Sequence, residues 1–223
     1  MVIASFWPVA MAVVFLGLAA FIVSTYIATD KTQIIVLTVA AVIGGYMALN
    51  IGANDVANNM GPAVGGKVIS VTTAVLIAAV FESAGALLAG GDVVNTIAKG
   101  IITPDPSLSV GRFQALMLSA LLAAALWINL ATILNAPVST THSIVGGVLG
   151  AGIAASGFAL VNWAMVSSIA ASWVISPLLG AFIAAALLYA IKTLILNAPD
   201  HLKGARRWMP VIYALMACAF TAY

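Results

Sequence analysis

Asp55, Asn58 and Asn59 recur at i, i+3 and i+4, a spacing that puts three side chains on one helix face. One carboxylate among amide oxygens suits a hard cation, Na⁺ or a proton-bearing site. These residues belong to Asn50–Pro62, NIGANDVANNMGP. Gly52 and the Gly61-Pro62 pair are the expected helix breakers there. At membrane depth, backbone leaves the helix only where protein buries it or it lines a watery cavity. The plainer alternative is a solvated polar loop between two helices.

A second polar stretch is Asn135–Ser143, NAPVSTTHS. Asn135 is expected to act as an N-cap, with Pro137 in the first turn of a new helix. Ser139, Thr140 and Thr141 then fall among unpaired backbone N–H groups at the positive end of a helix dipole, where anions bind. Their hydroxyls add donors for a tetrahedral oxyanion without the desolvation cost of a buried lysine. The alternative is an ordinary capped helix start whose hydroxyls bond back to i−4 carbonyls. Two interrupted helices, one offering carboxylate and amides and the other hydroxyls, form the kind of midplane site found in secondary transporters.

Glu82 lies within VLIAAVFESAGALLAG, and an acid inside an apolar span is a functional candidate by default; a paired structural acid is the alternative. His142 sits between Thr141 and Ser143, and i±1 neighbours do not face each other on a helix, so it reads as a packing residue. Lys67 and Lys99 read as snorkelling side chains near helix ends.

The elements that must position these residues are membrane helices. Of 223 residues, 64% are apolar and 6% charged, with a net charge of +2, and mean hydropathy is +1.18. Soluble domains carry about 25% charged residues, so too few polar side chains exist to cover a water-facing surface. The eight scattered basic residues form no stripe for nucleic acid. One cysteine, Cys218, supports no disulfide framework or cysteine metal cluster.

Apolar runs occupy 5–28, 33–49, 68–91, 113–134, 143–161 and 163–191. The expected fold is an all-α polytopic membrane protein with about six transmembrane segments, each near the ~20 residues a bilayer requires, and with broken or re-entrant helices. Pro177 is expected to kink the last long run. Trp7, Trp163 and Trp208 fit an interfacial belt. Small residues in 143–157, SIVGGVLGAGIAASG, permit close helix approach. Residues 92–112 read as a connection broken by Pro104 and Pro106. Lys192, Lys203, Arg206 and Arg207 against Asp200 make 192–208 a cytoplasmic connector by the positive-inside rule. The expected location is a prokaryotic plasma (inner) membrane, crossed several times.

The segment GANDVANNMGPAVGGK, Gly52–Lys67, closely resembles the signature of the PiT-type inorganic phosphate transporter family. PVSTTHSIVGGVLG, Pro137–Gly150, resembles that family's second block, and FESAG at 81–85 and NTIAKGII at 95–102 resemble further stretches in the expected order. The resemblance implies a non-enzymatic symporter that imports inorganic phosphate with Na⁺ or H⁺ by alternating access, built as two inverted repeats and forming dimers. It implies phosphate binding by Asn54, Asp55, Ser139, Thr140 and Thr141. It implies cation coupling through Asn54, Asp55, Asn58 and Glu82, with Asp55 and Asn58 as a sodium site.

The family pattern carries both motifs twice and this chain carries each once. Residues 1–191 therefore read as the first membrane repeat, 192–208 as the connector and 209–223 as the start of a truncated further helix. The expected partners are inorganic phosphate, the coupling cation, membrane lipid, and a second transporter half or an inverted copy of this chain. The short last run and the charge bias of 192–208 favour a fragment or split half of a longer transporter over a half that pairs with its own inverted copy. A sulfate permease on the same scaffold is the nearest rival. A non-transporting half or scaffold subunit would leave Glu82 unexplained. An intramembrane hydrolase using Ser139 or Ser143 with His142 and Asp55 would need a nucleophile–base bond that local spacing does not supply.

Overall fold

The computed structural model describes residues 6–103 and 108–221. Pro104, Asp105 and Pro106 of the expected 92–112 connection lie outside the described residues. Among the described residues there are seven α-helices: α1 Phe6–Ile22, α2 Lys31–Gly65, α3 Val71–Gly100, α4 Val110–Ile133, α5 Thr140–Ser156, α6 Trp163–Ile191 and α7 His201–Thr221. Five stretches among the described residues are long and apolar enough to cross a membrane: Phe6–Ile27, Gln33–Gly65, Val71–Gly91, Val110–Ile133 and Trp163–Leu196. The expected fifth span is instead α5, a helix of 17 residues. The chain divides into two compact units, Met1–Val166 and Ser167–Tyr223.

The expected break at Gly52 and Gly61-Pro62 is corrected. Helix α2 runs unbroken for 35 residues with Pro62 inside it. Pro62 removes one N–H, the group that would reach the Asn58 carbonyl, and the helix continues to Gly65. The true stop is one turn later. Val68 N–H bonds to the Ala63 carbonyl and Lys67 N–H to the Val64 carbonyl, both at 2.9 Å, with Lys67 left-handed at φ 58°. That is a Schellman ending, with lysine where glycine is usual. Helix α3 likewise outruns its expected end, continuing through Asp92 to Gly100. Pro177 lies within α6, which passes it without interruption.

In the first unit, Met47 of α2 and Ala124, Ala125 and Ile128 of α4 form a buried cluster, against which Ile51, Val138 and Ile144 pack. Alanines on α4 let α5 approach closely. A Cβ on Gly147 would lie 2.6 Å from the Ala120 carbonyl oxygen, so glycine is required there. Past α3, Ile101–Thr103 pairs with Leu160–Asn162. Thr103 N–H bonds to the Leu160 carbonyl at 2.9 Å and Asn162 N–H to the Ile101 carbonyl at 3.0 Å. These bonds tie the end of α3 to the α5–α6 junction.

Candidate functional site

The polar face of α2 is answered by α4. Asn50 and Asn54 are 5% and 6% exposed. Asn129 Nδ2 donates to Asn50 Oδ1 at 2.7 Å, and Asn50 Nδ2 donates back to the Tyr46 carbonyl at 2.8 Å. One turn on, Asn54 Nδ2 donates to Thr132 Oγ1 at 3.2 Å and to the Ala136 carbonyl at 3.4 Å. Asn54 Oδ1 accepts from Asn58 Nδ2 at 3.1 Å and from Val138 N–H at 3.4 Å. Two donors and two acceptor sites exhaust a carboxamide. Here all four are spent within the protein, so Asn54 acts as an organiser of this stretch. It satisfies the backbone on both sides of Pro137, where the chain is not helical and would otherwise leave polar groups unmet.

That non-helical stretch differs from expectation at its ends. Asn135 does not cap α5. It closes α4 in the left-handed region at φ 54°, where asparagine is tolerated. Ala136 N–H bonds to the Ala131 carbonyl at 2.8 Å and Asn135 N–H to the Thr132 carbonyl at 3.1 Å, a second Schellman ending. Pro137 lies in the following linker rather than in the first turn. Ser139 is the N-cap, its Oγ accepting from His142 N–H at 3.3 Å.

The start of α5 places its hydroxyls on different sides. Thr140 Oγ1 donates to Asp55 Oδ2 at 3.0 Å, joining the two motifs, and among the described residues Asp55 Oδ1 has no hydrogen-bond partner. Ser143 Oγ donates to the Ser139 carbonyl at 2.8 Å, the ordinary i−4 arrangement. Thr141 is exposed. Ser139, His142 and Ser143 line a cavity of about 540 Å³ with Trp127 of α4. Asn54 and Asn58 line a separate, more polar cavity of about 260 Å³ with Thr132, Asn135 and Pro137. The first-turn N–H groups of Thr140 and Thr141 have no intrahelical carbonyl to reach. The arrangement can thus offer an anion backbone N–H groups and hydroxyls, with a carboxylate held alongside.

Asp55 and Asn58 diverge: Asp55 bonds to Thr140, Asn58 to Asn54. Asn59 is exposed, and Glu82 is exposed on α3. Sequence reasoning missed Asn129 and Thr132. Their signal was available: they are the amide and hydroxyl in an otherwise apolar stretch, ALLAAALWINLATI, and a polar side chain inside a span needs a partner.

Residues 51–222 match the phosphate transporter family. A Helicobacter pylori (strain J99) protein named "Putative phosphate permease" is 49% identical over 215 residues, covering 96% of this chain and 40% of that protein. A Pyrococcus abyssi protein, also named a phosphate permease of that standing, is 43% identical over 179 residues, covering 78% of this chain and 43% of its own length. A solved structure titled "The sodium-dependent phosphate transporter" superposes with a TM-score of 0.73 at 42% identity, covering 77% of this chain and 42% of that one. The chain thus spans about two fifths of the length of the relatives it matches.

Proposed function

The chain belongs to the phosphate transporter family, a family of transporters and not of enzymes, and we propose that with a second transporter half it imports inorganic phosphate coupled to Na⁺ by alternating access. The observation that carries this reading is the bond from Thr140 Oγ1 to Asp55 Oδ2 at 3.0 Å. It brings the carboxylate of one motif to the helix N-terminus of the other. Phosphate docks against the N–H groups and hydroxyls at the start of α5, through Ser139 and Thr141, where the helix dipole favours an anion. Na⁺ takes the open oxygen of Asp55 and offsets the anion's charge near the midplane, with the side-chain carbonyl of Asn58 as a second ligand once it leaves Asn54. Glu82 is a second coupling acid, because an acid in an apolar span is costly unless it functions. Dependence on sodium draws support from the similar transporter's title. The membrane is the prokaryotic plasma membrane, in keeping with bacterial and archaeal relatives.

Phosphate near neutral pH can donate a hydrogen bond to Asp55, which sulfate cannot. The test is uptake into proteoliposomes holding the complete native assembly, under an imposed Na⁺ gradient and then a pH gradient, with sulfate as competitor. Uptake that follows the Na⁺ gradient and resists sulfate supports the reading. Uptake that follows only the pH gradient overturns sodium coupling, and uptake abolished by sulfate overturns the choice of anion.

A further inference from the structure

The second unit carries a charged surface to which the proposed function assigns no role. Helix α6 and its π-helical extension end at Leu196, and α7 begins at His201. The reversal between them is tight. A Cβ on Gly204 would lie 2.8 Å from the Leu194 carbonyl oxygen, so the first turn of α7 backs directly onto the last turn of a membrane-spanning helix. A His201 Nδ1 contact to the Ile195 carbonyl at 3.1 Å pins the same turn. Gly204, Ala205, Trp208 and Met209 form the half-buried face, while Lys203, Arg206 and Arg207 are exposed. These three cations fall at i, i+3 and i+4 and so share one face. Arg207 stacks its guanidinium 5.5 Å from the ring centroid of Trp208, an aromatic suited to the headgroup level. No carboxylate pairs with the three among the described residues; Asp200 instead caps α7, accepting from Lys203 N–H at 3.0 Å.

We propose that Lys203, Arg206 and Arg207 form a binding face for the phosphate groups of anionic lipids in the leaflet where α6 ends. The occupant is lipid because the close approach of Gly204 to Leu194 holds the three charges at the end of a span, within reach of headgroups. Their charge is complementary to a phosphodiester surface, and each basic residue near an anionic leaflet strengthens binding by about fivefold. Positive-inside bias makes that leaflet the cytoplasmic one. This inference does not depend on which anion the transporter carries.

The test uses the full 223-residue chain in nanodiscs of equal phosphatidylglycerol and phosphatidylcholine, with native mass spectrometry counting the lipids each variant retains. The unaltered chain is expected to prefer phosphatidylglycerol. K203Q/R206Q/R207Q is expected to lose that preference by about fivefold per charge removed, and R206K/R207K to keep it. Equal retention of both lipids, or an unchanged preference in the triple glutamine variant, overturns the proposal. So does displacement of phosphatidylglycerol by millimolar inorganic phosphate, which would mark a site for the free anion. Should the triple variant lose helicity by circular dichroism, a salt titration of the unaltered chain decides. The preference must weaken as ionic strength rises, and one indifferent to salt overturns the proposal.

Discussion

The side-chain carbonyl of Asn54 accepts the backbone N–H of Val138 at 3.4 Å, across 84 residues of sequence. The same amide donates to the Ala136 carbonyl, so one side chain on a continuous helix completes the hydrogen bonding of a non-helical stretch on both sides of Pro137. The motif asparagine thereby shapes the site.

Asn54→Ala is expected to destabilise the protein by about 1–3 kcal/mol for each buried group left unpaired. Asn54→Asp keeps the acceptor for Val138 but loses both donors and sets a buried carboxylate against the Ala136 carbonyl, so it is expected to destabilise at least as much as alanine. Thermal unfolding in detergent measures both. An alanine variant as stable as the parent would remove Asn54 from this role.

The bond between Asn129 and Asn50 is expected to couple α4 to α2. Hydrogen bonds inside membranes give double-mutant coupling energies that average about 0.6 kcal/mol and reach about 1.7. A cycle of Asn50→Leu, Asn129→Leu and the double variant is expected to fall in the upper part of that range, because Asn50 is buried and the contact is short at 2.7 Å. Additive single-variant effects would show that the two residues act independently.

The sequence made the membrane helices legible, because runs such as 163–191 carry no charge over the length a bilayer requires. It also made Asp55 and the start of α5 legible as chemistry. It misled at Asn50–Pro62, since glycine, proline and asparagine are breakers in water. In this chain α4 supplies Asn129 and Thr132 to hold the amides in a continuous helix. Asn135 was misassigned because the same residue type favours both helix starts and left-handed helix ends, and only the backbone separates them. The divergence of Ser139 from Thr140 was not visible in a linear string of hydroxyls.

Ser139 caps α5, and the proposed function gives its hydroxyl a second, separable duty at phosphate. Replacing an N-cap serine with alanine costs about 0.5–2 kcal/mol, and with glycine only a few tenths. Ser139→Gly is therefore expected to keep near-parental stability while raising the apparent KM for phosphate severalfold; Ser139→Ala is expected to lose both. Unchanged phosphate affinity in the glycine variant would assign Ser139 to capping alone.

Gly147→Ala is expected to destabilise by about 1–3 kcal/mol through overpacking, because its Cβ would meet the Ala120 carbonyl oxygen at 2.6 Å, whereas Gly146 has nothing within 4 Å. Gly146→Ala is the matched control and is expected to be tolerated. Equal unfolding temperatures for the two variants would contradict the close packing of α4 on α5.

The central claim is that Asp55, held by Thr140, couples cation binding to phosphate movement. It is tested most directly by Na⁺-gradient-driven phosphate uptake in proteoliposomes of the complete assembly carrying Asp55→Asn, with Thr140→Val and Thr140→Ser beside it. The expected result is loss of gradient-driven uptake in Asp55→Asn with the fold intact, a severalfold reduction in Thr140→Val, and recovery in Thr140→Ser, which restores the hydroxyl donor. Parental, sodium-dependent uptake by a folded Asp55→Asn variant would contradict the account.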